Sequence, residues 1–175
     1  GLLLAATPLG TIVNQRLETL RFAILQPGLE LLDTVETRYG QVAVARLGKQ
    51  ISVVTDGRIT QSFPSLRQNQ QEAAYYYAQA NGARRILLFG GLAGGLVEEF
   101  LRYPIARVEV IEEDQRAFEQ VRPYLTQATL QALKDPRVVI HFEDGRRLVN
   151  RLHNAPYDLI LILAADPASA HQNRY

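Results

Sequence analysis

The sequence predicts an α/β chain, with an antiparallel β-meander followed by an open parallel sheet carrying helices on both faces. Three observations predict it. Four short Val/Ile/Leu-rich runs separated by turn pairs fill residues 29–63. From Arg85 onward, nearly continuous apolar runs alternate with helical patterns, as in strands buried on both faces between helices. The length of 175 residues, 47% hydrophobic, is enough for one sizeable core.

The elements follow in order. Gly1–Val13 is apolar but broken by Thr7-Pro8 and Gly10-Thr11. It falls short of the roughly 20 apolar residues of a spanning helix and lacks the basic start of a signal peptide. It reads either as an element packed on the domain or as the cytoplasmic stub of an upstream membrane helix. Asn14–Leu25 places Leu17, Leu20 and Ile24 at helical spacing before Pro27-Gly28, as in a short amphipathic connector. The meander strands are Leu29–Val35, Gln41–Leu47, Ile51–Thr55 and Ile59–Phe63. Asp56-Gly57 between apolar runs signals a two-residue hairpin, because both central residues of a type I′ turn need positive φ. Gln70–Ala80 is a helix stopped by Asn81-Gly82. Strands Arg85–Phe89, Arg107–Ile111, Val138–Phe142 and Asp158–Leu163 then alternate with helices Gly94–Tyr103, Gln115–Val121 (resumed after Pro123 to about Lys134) and Arg146–His153. The chain divides into a connector at 1–28, a meander at 29–63 and an α/β domain at 64–175.

Composition excludes several functions. With 19 Lys+Arg against 18 Asp+Glu, the net charge of +1 gives no basic stripe for nucleic acid. Zero Cys removes disulfides, thiolate metal sites and cysteine nucleophiles. Among three His, His153 and His171 have no partner at metal spacing, so no metal site is expected. His141 alternates with Ile140 and Phe142 on a strand, as a partly buried, satisfied histidine would. Tyr75-Tyr76-Tyr77 reads as a helix with two rings toward the core and its rim. Arg84-Arg85 and Arg146-Arg147 read as solvated pairs. Zero Met and a Gly-Leu-Leu-Leu start suggest an internal slice of a longer protein.

Ligands of open parallel sheets bind beyond the carboxyl ends of the strands, where strand order reverses. Four loops leave such ends. Gly90-Gly91-Leu92-Ala93-Gly94-Gly95 joins a strand to a helix through a turn that bares backbone to a ligand. It misses the dinucleotide spacing because Leu92 stands at the second glycine position. Glu112 ends the next strand about 20 residues on, where an acid can hold a ribose hydroxyl pair, with Asp114 as cap of the following helix. Asp144, before Gly145, can accept from an exocyclic amine such as that of adenine or cap the helix at Arg146. Asp166 faces the same crevice or serves as a turn residue before Pro167. Two acids and a glycine turn without a Walker lysine suit an adenosyl sulfur compound better than NAD or ATP.

These residues resemble a known family. Glu36-Thr37-Arg38-Tyr39-Gly40, Asp56-Gly57, Gly90–Gly95, Val110-Ile111-Glu112-Glu113-Asp114, Asp135-Pro136-Arg137-Val138, Glu143-Asp144-Gly145 and Tyr157-Asp158-Leu159-Ile160 are similar to spermidine synthases, the polyamine aminopropyltransferases. The tail from Asp166-Pro167 to Tyr175 is similar to the branch fused to membrane segments. The resemblance implies a Rossmann-like sheet of the class I S-adenosylmethionine-binding type, continuing beyond Tyr175 with another helix and further strands. It implies decarboxylated S-adenosylmethionine as co-substrate, a polyamine acceptor and methylthioadenosine as product. On this pattern Gly90, Gly91, Gly94, Gly95, Glu112, Asp144 and Gly145 hold the nucleoside, and Asp166 is the remaining catalytic acid. It also implies a cytoplasmic domain, a homodimer and attachment to membrane segments upstream.

The sequence departs from the family on the amine side. Ala93 replaces the aspartate of the glycine motif, Leu163 falls on the catalytic aspartate, and Gly40 falls on a glutamine. The Tyr-His-Glu segment has become Gln70-Gln71-Glu72 or its neighbours. Three functions therefore stand open: a weak aminopropyltransferase, a catalytically silent nucleoside- or polyamine-sensing module of a membrane protein, and an S-adenosylmethionine-dependent methyltransferase. The meander argues against the last.

Overall fold

The computed structural model describes Leu17, residues 19–151 and residues 156–163. Four strands, β1 (Glu30–Thr37), β2 (Gly40–Leu47), β3 (Gln50–Thr55) and β4 (Arg58–Phe63), form an antiparallel meander paired in sequence order. At the β3–β4 turn Asp56 has φ 48° and Gly57 φ 78°, the two positive values that a type I′ hairpin requires.

Helix α1 (Leu66–Gln79) leads into the second sheet, made of β5 (Arg85–Phe89), β6 (Arg107–Ile111), β7 (Val138–His141) and β8 (Leu159–Ile162). All four are parallel, in the order β7-β6-β5-β8. Between them lie α2 (Leu96–Phe100), α3 (Gln115–Val121), a 3-10 turn at Arg122–Tyr124, α4 (Gln127–Ala132) and α5 (Gly145–Arg151).

Residue alternation along the parallel strands explains why both faces are covered. Ile86, Leu88, Val108 and Val110 point to one side and share a cluster with Val97 and Phe100 of α2 and Phe118 of α3. Leu87 and Ile111 point to the other side, against Leu148 of α5. Val35, Val42, Val44, Val53 and Phe63 of the meander belong to the first cluster. The two sheets therefore share one core, which fixes the meander above the parallel sheet.

Two helices differ from the sequence pattern by more than two residues at one end. Helix α1 starts at Leu66, earlier than the apolar periodicity suggests, because Asn69 N–H already bonds Ser65 O at 2.9 Å across the polar first turn. Helix α2 stops at Phe100 rather than Tyr103, where Tyr103 N–H bonds Phe100 O at 3.0 Å and tightens the chain into a turn. The 19–25 segment is helical, yet Leu20 and Ile24 are 61% and 79% exposed, so the described residues leave its apolar side uncovered.

The isolated polar residues mostly do structural work. His141 Nε2 lies 2.9 Å from Glu109 Oε2, and Arg107 Nε donates to Glu109 Oε1 at 2.8 Å. Burial alone would raise Glu109, but these bonds hold it below the usual carboxylate range. Tyr76 and Tyr77 pack against the core and Tyr77 stacks on Tyr103 at 4.3 Å between ring centres, while Tyr75 is exposed. Arg137 grips Asp135 with two guanidinium nitrogens, at 2.9 and 2.8 Å, and holds its carboxyl down at about 2. His153 and His171 lie outside the described residues.

Candidate functional site

Strand order reverses beside β5: the chain runs outward through β6 and β7, then returns to place β8 on the opposite side. The carboxyl ends of β5, β6 and β8 open there into a crevice of about 420 Å³. Its floor includes Phe89, Gly90, Gly91 and Ile111, and its roof comes from the meander, through Tyr39, Val42, Val53 and Gln61. Such a crevice at a switch point is where open α/β sheets bind ligands.

The glycine turn is folded by backbone bonds. Gly90 N–H donates to Ile111 O at 2.8 Å, and Gly94 N–H to Gly91 O at 3.0 Å. Gly91, at φ +78°, sits beneath Leu163, whose Cδ1 would lie 2.6 Å from any Cβ there. Leu163 N–H bonds Phe89 O at 2.8 Å, so the chain leaving β8 lies directly on the turn.

Glu112 follows β6 and lines the crevice, with its main-chain N–H bonded to His141 O at 2.9 Å. Burial pushes its carboxyl up to about 7, and the nearby Asp114 and Glu113 add to the rise. Backbone N–H groups of Leu92 and Asp114 hydrogen-bond to it and oppose the shift. A carboxylate held by the glycine turn yet poorly solvated is set to accept from ligand hydroxyls.

The other acids divide between capping and bridging. Asp114 Oδ1 accepts from Ala117 N–H at 3.0 Å and caps α3. Asp144 Oδ1 accepts from Arg146 and Arg147 N–H at 2.8 and 3.2 Å, at the start of α5. Asp144 and Gly145 stand at the edge of the crevice rather than in its lining. They are joined to it through Glu113, whose Oε1 accepts from Gly145 N–H at 3.2 Å, and through the Phe89 ring packed on Gly145. Gly94 lines a second, adjoining cleft, and Gly95 is the left-handed cap of α2. Asp166 lies outside the described residues.

Two lining residues had no role in the sequence pattern. Tyr39, on the β1–β2 turn, carries Arg38 Nη2 on its hydroxyl at 2.6 Å; burial raises its pKa, which Arg38 opposes and Glu113 and Asp114 reinforce. Its place in the Glu36–Gly40 motif was the available signal. Gln61 had none, because only the packing of β4 over the glycine turn brings it there.

At the positions where the sequence departs from the resembled pattern, the side chains have a definite setting. Ala93 is nearly buried in the lining, and Leu163 offers methyl groups where an acid would offer oxygens. Gly40 has φ +130°, and a Cβ there would meet both Asp56 carboxylate oxygens at 2.6 Å. Asp56 Oδ1 accepts from Gln41 N–H at 3.1 Å, so the hairpin occupies the space a longer side chain would need. Gly40→Ala is expected to lower stability by about 1–2 kcal/mol, read as a lower urea midpoint at unchanged slope.

Among the described residues, no group of His, Asp and Glu could hold a metal ion, and no helix is long and apolar enough to cross a membrane.

Comparison with known proteins gives a consistent result. The spermine/spermidine synthase domain family matches residues 73–175. The polyamine aminopropyltransferase of Clostridium acetobutylicum is 40% identical over 85 residues, which are 48% of this chain and 30% of that protein. That of Moorella thermoacetica is 39% identical over 85 residues, 29% of its length. The matched stretch thus spans under a third of these relatives. A crystal structure of spermidine synthase in complex with the transition state analogue AdoDATO superposes with TM-score 0.67 at 20% identity, over 81% of this chain and 49% of that one. Spermidine synthase from Thermotoga maritima gives 0.64 at 19% identity, over 77% and 48%. At these identities the two structures bear on the fold, and both share it.

Proposed function

The chain belongs to the spermine/spermidine synthase family, and from that premise we propose that its crevice binds an adenosyl sulfur nucleoside. Decarboxylated S-adenosylmethionine would be the co-substrate and methylthioadenosine the product. The observation that carries this reading is Glu112: a half-buried carboxylate beside the glycine turn, at the point where strand order reverses. In this reading Glu112 accepts from both ribose hydroxyls, Gly90 and Gly91 let the nucleoside lie on bare backbone, and Gly94 and Gly95 shape the turn. Asp144 and Gly145 border the adenine, next to the Phe89 ring.

Aminopropyl transfer is a displacement at carbon. The acceptor nitrogen forms a bond to the propyl carbon attached to the sulfonium, the C–S bond breaks, and its electron pair stays on sulfur as methylthioadenosine. The nitrogen must arrive unprotonated and then lose a proton, so an ionised carboxylate near it is needed to position it and, as base, take that proton. Asp166 is the acid we assign to this. With Leu163 and Ala93 apolar, the rate should be low, and a module that binds the nucleoside without turnover is the second reading. The observation favouring it is the Leu163 side chain lying on Gly91, at the junction where the reacting carbon would sit. On the resemblance alone, the proposal extends to a cytoplasmic domain paired as a homodimer and joined to upstream membrane segments. Such a setting would cover the exposed Leu20 and Ile24.

The test is a titration with methylthioadenosine, S-adenosylmethionine and its decarboxylated form, followed by an assay with putrescine. Saturable binding of the first and third, with slow turnover or none, fits the proposal. Absence of nucleoside binding contradicts it, and turnover that survives Asp166→Ala removes Asp166 as the acid.

Affinity should depend on pH with a defined sign. Ribose hydroxyls bond better to a carboxylate than to a carboxylic acid, so binding favours the ionised Glu112. With its carboxyl at about 7 in the free protein, methylthioadenosine affinity should be flat above that value and fall about tenfold per pH unit below it. Stability of the unliganded fold runs the other way. The folded state binds more protons than the unfolded chain between 4.5 and about 7, so this contribution is lost as pH rises through that window.

A further inference from the structure

Where the ends of β5 and β6 meet the start of α5, the crevice wall includes Phe89 and Glu113. Glu113 follows Glu112 directly and is exposed, yet its carboxylate turns back onto the backbone. Its Oε1 accepts from Gly145 N–H at 3.2 Å, across 32 positions of the chain. Gly145 is buried, and a Cβ there would lie 3.0 Å from Phe89 Cε1 and 3.6 Å from Glu113 Oε1. An aromatic ring, a bare glycine backbone and a carboxylate therefore meet at one spot. Next to them Asp144 Oδ1 already accepts from Arg146 and Arg147 N–H, which starts α5 without help from Glu113. This corner thus presents two carboxylates, and the Gly145 N–H between them is engaged by one of the pair.

We propose that Glu113 is a specificity-determining residue: it competes with the base for the Gly145 N–H, so the crevice selects a purine by its exocyclic amine and gains little from the ring nitrogen N1. This deepens the nucleoside reading above and rests on it. The amine-bearing edge of adenine sets a donor, the amine N–H, beside an acceptor, N1. Carboxylates suit the donor, whereas N1 needs an N–H. A base that takes the Gly145 N–H must break its bond to Glu113, and a base that leaves that bond in place forgoes the contact. Bonds to a carboxylate are about twice as strong as neutral ones, so even at 3.2 Å the existing bond is a match for what N1 offers. Either way N1 returns little. Because Glu113 is exposed, its displaced carboxylate would be hydrated, which keeps the exchange near balance rather than prohibitive. An oxo group in place of the amine would turn an oxygen onto two carboxylates.

Three ligands test this by calorimetry at pH 8: methylthioadenosine, its 1-deaza analogue with CH in place of N1, and methylthioinosine, with an oxo group in place of the amine. Each is titrated into the full chain and into its Glu113→Leu, Glu113→Ala and Glu113→Gln variants. In the unaltered chain the first two should bind within about twofold of each other, and methylthioinosine about tenfold more weakly. Glu113→Leu frees the N–H for N1, so methylthioadenosine should then exceed its 1-deaza analogue about tenfold. Packing of the new leucine against the base acts on both ligands and cancels in that ratio. Glu113→Ala should give the same ratio and serves if the leucine variant does not fold. Glu113→Gln keeps an oxygen for Gly145 and should behave like the unaltered chain. A tenfold loss for the 1-deaza analogue in the unaltered chain, or equal binding of methylthioinosine, would overturn the proposal. So would a ratio that Glu113→Leu and Glu113→Ala leave unchanged, the result expected of a residue that merely supports the start of α5. Failure of all three ligands to bind removes the nucleoside reading and this proposal with it, an outcome distinct from binding with the wrong ratio.

Discussion

Glu112→Ala is expected to weaken methylthioadenosine binding about 100-fold at pH 8, with little change in folding stability at that pH. The loss, about 2.7 kcal/mol, is what remains of two charge-assisted hydrogen bonds to ribose hydroxyls, each worth about 1.5–3 kcal/mol, once water entering the vacated space takes over part of their pairing. The fold should tolerate the change because Glu112 lies just past a strand end, partly exposed, and its carboxyl bonds backbone N–H groups of Leu92 and Asp114 among the described residues. Removing a carboxylate that burial holds near 7 relieves a desolvated charge as well. Glu112→Gln separates charge from shape: it keeps an acceptor of similar size, so its affinity should fall between the two and lose its pH dependence. Calorimetry of the three proteins checks both expectations.

Leu163→Asp is expected to raise aminopropyl transfer to putrescine about 100-fold over the unaltered chain, within the range a positioned acid–base group contributes. Leu163 borders both the crevice and the adjoining cleft, so an acid there would face both the donor carbon and the incoming nitrogen. The apolar side chain can neither pair with an ammonium nor accept its proton. Its replacement removes the contact with Gly91, where the side chain fills space above bare backbone, so nucleoside affinity should be followed in parallel. A rate unchanged with nucleoside binding intact would mean that proton transfer is not what limits this site.

How much of this was legible in the sequence depends on whether the signal was local. Strands β5 and β6 have the bounds expected from their apolar runs, because strands buried on both faces leave no alternation to misread. The Asp56-Gly57 hairpin was legible from turn chemistry alone. The first turn of α1 was not: Leu66-Arg67-Gln68-Asn69 carries no periodic apolar signal, and its start is set by the backbone after Pro64. In the site, Glu112 and Gly91 could be found from spacing after a strand. Tyr39, Gln61 and the adjoining cleft could not, since each depends on the meander being carried over the glycine turn by the shared core. The Asn69–Gly94 bond spans 25 positions, and the Gly40–Asp56 contact joins two different hairpins of the meander. No pattern within either segment encodes such contacts.

Binding of an adenosyl sulfur nucleoside in the crevice at the β5–β6–β8 end is the proposal from which the other expectations follow. Backbone amide NMR of the isotope-labelled chain, titrated with methylthioadenosine at pH 8, tests it most directly. Saturable changes are expected at Gly90, Gly91, Glu112 and Glu113, with Gly145 at their edge. Absence of saturable change, or changes centred on the meander's far face or on α4, would contradict it.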